Sequence, residues 1–545
     1  MSIALEKLPE SREELLAIIG VLSDKNEELS AIIHRLETQN EQLSSRLHIF
    51  EEQLKLLRHK RFGKSSERTV PEQRRLFNEA EMISEQSPAQ ETAEAEIQTI
   101  TYERKKPGRK PLPADLPRER IEYELPEHEQ YCPECGEHMH KMGEDVRSEL
   151  NIIPAQVKVV EHVRFKYGCR NCEKNNVTVP IKKAEAPKPV IKKGNASPSS
   201  ISYVMTAKFV DGVPLYRQEK HLSRLGLEIS RSVLSDWMLK GSTLLEPVYE
   251  AAHQALIQRE VLHADETTLQ VLKEPGRSAE TKSYMWLYRT GMDGPPNLLQ
   301  PAIILYDYQE TRSGEHPRKF LSGFKGYLHV DGYSGYDGLE KPEKTGEPPS
   351  IKLCSCWAHF RRKADETIKG LPPDKRRGCR AKELLDRINH LFSIERGLSK
   401  CTPEERHAER QKKSLPAVED LRKLLLDIKD EILPKSLLGT AVTYGLNQWE
   451  KLTRFLEDGR IELSNNRAEQ NIRPFVIGRK NFLFCNTPGG ARASAVIYSI
   501  IEMAKANGLN PYAYLTNLFE KLPNIDAADT AAIDAVLPWN IKLQK

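Results

Sequence analysis

Four cysteines and three carboxylates carry the chemistry this sequence offers. Cys132-Pro-Glu-Cys135 and Cys169-Arg-Asn-Cys172 are two Cys-x-x-Cys pairs with 33 residues between them. Gly136 follows the first pair and Gly168 precedes the second. Each pair therefore sits on a tight turn that aims two thiolates at one point. Four sulfurs fill the tetrahedral shell of Zn²⁺ and leave no position for substrate, so the site is structural, with disulfides as the alternative. The odd total of nine cysteines fits a reducing cytoplasm better than a secreted disulfide framework.

The acids lie further along. Asp265 stands at the centre of Val261-Leu-His-Ala-Asp-Glu-Thr-Thr-Leu-Gln-Val271, and Asp331 ends Gly326-Tyr-Leu-His-Val-Asp. Both runs read as strands. Two carboxylates on neighbouring strands repel unless a cation lies between them. Mg²⁺ (or Mn²⁺) prefers carboxylate, water and phosphate oxygens, and two such ions can clamp an in-line phosphoryl transfer. Leu463-Ser-Asn-Asn-Arg-Ala-Glu469-Gln-Asn-Ile-Arg473-Pro supplies a third acid from a helix, with Ser464 or Asn465 as N-cap and Glu469 about one turn in. Arg473 lies one turn further on the same face, placed to meet phosphate.

These acids must be positioned by a sheet. Tyr284–Tyr288 and Ala302–Tyr306 predict two more strands, Thr311–Phe324 a helix, and Ile351–Trp357 a fifth strand. Three strands, a helix, a strand, then a strand and helices is the order of a ribonuclease-H-like α/β core. About 137 residues separate Asp331 from Glu469, far more than such a core needs, so Asp365 to about Gly445 predicts a helical insertion. Its approach, Arg361 to Arg380, carries eight Lys or Arg against three acids, which suits a DNA-covering surface or a solvated helical face.

The outer segments add equipment. Leu15, Leu22, Leu29, Leu36, Leu43, Phe50 and Leu57 fill one heptad position, and Ile19, Asn26, Ile33, Asn40, Leu47 and Leu54 the other. That pattern predicts a coiled coil, with the two asparagines fixing a parallel homodimer. Between the cysteine pairs, Val157–Tyr167 alternates like the strands of a zinc ribbon. Glu103–Pro113 is basic, and Gly108-Arg109-Lys110-Pro111 resembles a minor-groove arm as much as a solvated linker. Leu215–Leu225, a break at Gly226 and Ser230–Trp237 have helix-turn-helix spacing, with Arg231 near the start of the second helix. A plain helical bundle has the same pattern. The net charge of +4, from 82 basic and 78 acidic residues, averages these unlike parts and does not exclude DNA. No apolar run reaches the 18 or so residues of a membrane span, and the N-terminus has no signal-peptide pattern.

The chain resembles the TnpC-type DDE transposases of insertion sequence family sixty-six. The resemblance rests on the zipper, Arg61-Phe-Gly-Lys-Ser-Ser-Glu67, the four cysteines, His263-Ala-Asp265-Glu-Thr, Val330-Asp331-Gly-Tyr, Cys356-Trp-Ala-His-Phe-Arg-Arg362, Asn465-Asn-Arg-Ala-Glu469-Gln-Asn-Ile-Arg-Pro474 and Ile477–Phe484. It implies a Mg-dependent transposase with Asp265, Asp331 and Glu469 as the catalytic triad, cutting strands at element ends and joining them to target DNA. Arg473, Arg479, Lys480, Arg361, Arg362, Arg231 and Arg109 are candidate phosphate or DNA contacts, and His359 lies near phosphate or in the core. The implied partners are DNA, a second copy of the chain, a higher assembly on DNA and small accessory transposition proteins, in a bacterial cytoplasm at the nucleoid.

The expected organisation is a coiled coil over 1–60, a basic arm and linker over 61–125, a zinc domain over 126–182 and a helical region over 183–250. The core takes 255–365 with 446–485, the insertion 366–445 and a C-terminal element 486–545. A DNA-binding regulator without cleavage, or a resolvase or ribonuclease of the same fold, shares parts of this pattern. A purely structural coiled-coil protein leaves the metal motifs unexplained.

Overall fold

The computed structural model describes residues 11–62, 156–168, 181–291, 300–341 and 349–541, with isolated positions at 120, 126, 134 and 137. Residues 88–161 are a unit of their own, and the rest of the chain forms a larger one. Cys132, Cys135, Cys169 and Cys172, and the basic arm with Arg109, lie outside the described residues.

The larger unit is built on a five-stranded sheet: β3 (Val261–Gln270), β4 (Lys282–Thr290), β5 (Ile304–Gln309), β6 (Gly326–Val330) and β7 (Ile351–Ser355). Their spatial order is β5-β4-β3-β6-β7, with β3–β4 and β4–β5 antiparallel and β3–β6 and β6–β7 parallel. The parallel junction depends on Gly326. Its φ is 147°, and a side chain there would run into the carbonyl of Glu260, which accepts the Tyr327 N–H at 2.8 Å. β4 is apolar from Tyr284 to Leu287 and buried from Met285 to Thr290, as a strand covered on both faces must be, whereas β3 carries its acids through a half-buried centre.

An N-terminal pair, β1 (Lys166–Gly168) and β2 (Ile181–Lys183), is antiparallel. Helices α2 (Pro198–Phe209), α3 (Leu215–Arg224) and α4 (Arg231–Ile257) follow. Ser230 caps α4 by accepting the Val233 N–H, and Gly226 makes the turn before it at φ 82°. Helix α5 (Glu315–Phe320) precedes β6. After β7 come α6 (Trp357–Gly370), α7 (Arg380–Gly397), α8 (Pro403–Glu431), α9 (Leu437–Asn447) and α10 (Trp449–Thr453), then α11 (Asn466–Phe482). The chain closes with α12 (Pro488–Ala506), α13 (Pro511–Lys521) and α14 (Thr530–Asp534). The sheet shares one core with α2, α4, α11, α12 and α13, and the helices after β7 enclose a second core around Trp357, Phe360 and Leu421.

Two expected elements differ. The helix expected over Thr311–Phe324 is only Glu315–Phe320, confined between Gly314 and a left-handed Gly323. The alternation of Val157–Tyr167 yields a strand only from Lys166. Val159 and Val163 are 88% and 70% exposed, because alternation makes a strand only where a partner edge satisfies its backbone.

Helix α1 (Arg12–Phe62) is continuous over 51 residues. Seam residues Leu22, Ile33, Leu36 and Leu47 are exposed. The side that meets the rest of the unit is the back of the heptad: Leu56 is buried, and Glu52 Oε2 accepts the N–H of Leu437 at 3.2 Å, at the N-terminus of α9. The seam is thereby left facing outward.

Candidate active site

The strand register brings the two aspartates together. His263 on β3 pairs with His329 on β6, and Asp265 and Asp331 each lie two residues further along parallel neighbours. The period of two puts each aspartate on the same side as its histidine. One oxygen of each acid is fixed by the backbone: Asp265 Oδ1 accepts the Glu266 N–H at 2.8 Å, and Asp331 Oδ1 the Tyr333 N–H at 2.9 Å. Gly332 is tight against Tyr444 of α9, where a Cβ would come within 2.6 Å of the ring, so the second aspartate's turn is packed against α9.

Glu469 stands in the first turn of α11 and is 5% exposed. Its helix is anchored to the sheet rather than capped in the ordinary way. Asn465 is the N-cap, but its side chain makes no capping bond. Instead Asn465 Nδ2 donates to the Ala264 carbonyl at 2.8 Å, and Asn465 Oδ1 accepts from His263 Nδ1 at 2.8 Å. Its backbone N–H meets Cys356 Sγ at 3.1 Å. Further along, Arg289 and Tyr306 both bond Asn471, and Arg479 Nη1 donates to Thr267 and Thr268 at 3.3 and 3.2 Å. These contacts hold the first acid strand and the third acid in one frame.

Behind the aspartates lies a buried polar layer. His263 and His329 stack with ring centroids 5.0 Å apart, and His263 Nε2 is 3.3 Å from Glu462. Burial opposes a charge on Glu462, yet the His263 imidazole and the Arg467 guanidinium at 2.5 Å hold its carboxyl down at about 2. Burial and the neighbouring His263 push His329 down to about 3. Glu266 points elsewhere than Asp265 and is saturated, bonded by Arg312 at 2.5 and 2.8 Å and by Tyr336 at 2.6 Å.

The three acids crowd one another. Burial, then the charges of Glu266, Glu469 and Asp331, push Asp265 well above the usual carboxylate range. Burial and Asp331 raise Glu469, and Arg362 opposes them. Glu469 Oε1 is buried without a hydrogen-bond partner. Mutually repelling carboxylates with an orphaned oxygen are the donor set a hard divalent cation fits.

The cationic candidates separate. Arg362 is half-buried and electrostatically coupled to Glu469. Arg473 is half-buried on α11, Lys480 and Arg231 are exposed, and Arg479 is committed to the β3 threonines. Arg361, expected at phosphate, is 1% exposed and donates to Asn389 on α7 at 2.7 Å, which ties α6 to α7. His263, His329, Glu462 and Asn465 were not anticipated as site residues. The available signal was the i, i+2 spacing of each histidine from its aspartate.

Family models match along the chain. One described as the IS66 family transposase matches residues 193–493, which hold all three acids. This chain belongs to the IS66 transposase family. A zinc-finger binding domain of transposase IS66 matches 129–173, spanning all four cysteines of the two pairs. A model described as transposase C of IS166 homeodomain matches 49–121, and the IS66 C-terminal element matches 499–539. Among curated proteins, the uncharacterized protein y4hP of Sinorhizobium fredii is 32% identical over 90% of this chain and 88% of its own length. Its compatriot y4qI is 33% identical over the same shares, and y4jD is 31% identical over 79% and 81%. No helix among the described residues is long and apolar enough to cross a membrane.

Proposed function

We propose that this transposase cleaves DNA strands at the ends of its insertion sequence and joins them to target DNA in one site made of Asp265, Asp331 and Glu469. The observation that carries this is the pairing of two aspartates on adjacent parallel strands with a buried glutamate from α11 whose Oε1 has no hydrogen-bond partner. The strand order β5-β4-β3-β6-β7 fits a ribonuclease-H-like core, with α6 to α10 inserted before the acid helix. Magnesium or manganese ions held by the three carboxylates would stabilise charge on the attacking and leaving oxygens of an in-line displacement. The chain's own groups do the rest. Backbone N–H groups orient the two aspartates, Asn465 fixes α11 over β3, and Arg362 and Arg473 supply positive charge for the phosphate. In cleavage, water oxygen bonds to phosphorus and the strand's 3′ oxygen leaves with a proton. In transfer, that 3′ hydroxyl displaces the 3′ oxygen of the target strand.

Purified protein incubated with element-end DNA and Mg²⁺ is expected to nick the end and join it to a target plasmid, and EDTA is expected to stop both. Binding of the ends without nicking, at any Mg²⁺ or Mn²⁺ concentration, would leave a DNA-binding regulator as the better account. The four cysteines would hold one structural zinc in the same protein.

The outward seam of α1 fits a second copy of this chain, with Asn26 and Asn40 setting its register. Light scattering is expected to give a dimer. The double variant Leu29→Lys, Leu36→Lys should weaken it by at least about a hundredfold, since lysines at the seam cannot be packed. A variant that stays dimeric at wild-type concentration would place the interface elsewhere.

A further inference from the structure

A softer donor set adjoins the acids. Cys356, His359 and Glu469 each offer one ligand atom, and all three atoms lie within 4.8 Å of one another. Cys356 is the N-cap of α6 and His359 is three residues on, so both project from the first turn of one helix toward the start of α11. His359 Nδ1 is 3.7 Å from Glu469 Oε1, and each of these buried atoms has no hydrogen-bond partner. That gap is too long for a hydrogen bond. It is close to the spacing of two ligands on one tetrahedral ion, about 3.4 Å when nitrogen and oxygen each lie about 2.05 Å from zinc.

The sulfur is prepared in the same sense. The Asn465 N–H reaches Cys356 Sγ at 3.1 Å, which holds the sulfur at the start of α11 beside the two orphaned atoms.

We propose that Cys356, His359 and Glu469 form a second cation site, selective for thiophilic zinc-like ions, which shares Glu469 with the catalytic acids. Thiolate and imidazole select Zn²⁺, Cd²⁺ or Co²⁺ over Mg²⁺. An ion held there draws on Glu469, so such ions inhibit strand transfer. The binding rests on the three donors alone, and the inhibition rests also on Glu469 being a catalytic acid.

The test uses full-length protein with its four-cysteine domain already loaded with zinc. Titrated Co²⁺ is expected to bind one further equivalent with a near-ultraviolet sulfur-to-cobalt charge-transfer band. Cys356→Ser should lose that band, and His359→Ala should weaken the binding at least tenfold. Asp265→Asn should keep the band, whatever its activity. Thermal melts establish that each variant is folded. In strand transfer at fixed Mg²⁺, half-inhibition by added Zn²⁺ should move at least tenfold higher in Cys356→Ser, each protein being compared with its own rate before zinc is added. An unchanged band in Cys356→Ser, or no further equivalent in the wild type, overturns the site. A further equivalent that leaves strand transfer untouched overturns the sharing of Glu469.

Discussion

Asp265→Asn is expected to lower end cleavage and strand transfer by about three orders of magnitude, while raising the melting temperature of the metal-free protein. The first effect follows from losing a charged oxygen of the cation site. Several kcal/mol of transition-state stabilisation, at 1.36 kcal/mol per decade, gives roughly a thousandfold. The second follows from the crowding of charge. Asp265 is pushed well above the usual carboxylate range by burial and by Glu266, Glu469 and Asp331. Its ionised form therefore costs stability in the absence of a cation, and the neutral amide removes that repulsion with little change in shape. Added Mg²⁺ or Mn²⁺ should then stabilise the wild type and do much less for the variant. Gel assays of cleavage, and melts with EDTA or metal, read the two effects separately. Cleavage at the wild-type rate would remove Asp265 from the reaction. A lower metal-free melting temperature would make the carboxylate a structural group instead.

The acids were legible in the sequence because each interrupts a strong local pattern. Asp265 sits at the centre of a strand run bounded by Val261-Leu262 and Leu269, Asp331 closes another, and Glu469 follows a helix-start signature. The heptads of α1 were legible for the same reason, since a seven-residue period needs no knowledge of the rest of the fold. What escaped depends on contacts across long stretches of chain. Arg361 stands in a cationic run that suits a DNA surface, yet its partner is Asn389 on the next helix, and the amphipathic turn carries it inward. Asn465 has the identity of a capping residue, but its amide is taken by His263 and Ala264, some two hundred residues earlier. Local propensity ranks caps and does not see competing partners. The back face of α1 is equally hidden, because nothing near Glu52 announces an open helix end at Leu437.

Arg410→Ala is expected to destabilise the packing of α7 and α8 by about 3–5 kcal/mol, the cost of leaving a buried ionic group unpaired. Arg410 is fully buried on α8. Its guanidinium bonds Glu395 of α7 at 2.8 and 2.7 Å, and it donates to the carbonyls of Phe455, Asp458 and Ile461 at 2.6, 2.9 and 2.8 Å. One side chain thus ties α7 and α8 to the segment that returns the chain to the sheet. Truncation strands the Glu395 carboxylate and three carbonyls together, which makes the loss large against a typical total of about 5–15 kcal/mol. Arg410→Lys should recover only part of it, because an ammonium has three donors where the planar guanidinium has five. The consequence reaches the site through the chain itself. Ile461 lies four residues before Asn465, whose side chain seats α11 and with it Glu469. Hydrogen exchange should therefore quicken across residues 455–465 in Arg410→Ala, and urea unfolding should show the helices after β7 melting first. Exchange unchanged there, or a loss below about 1 kcal/mol, would mean that apolar packing around Trp357 and Phe455 holds the segment without the arginine.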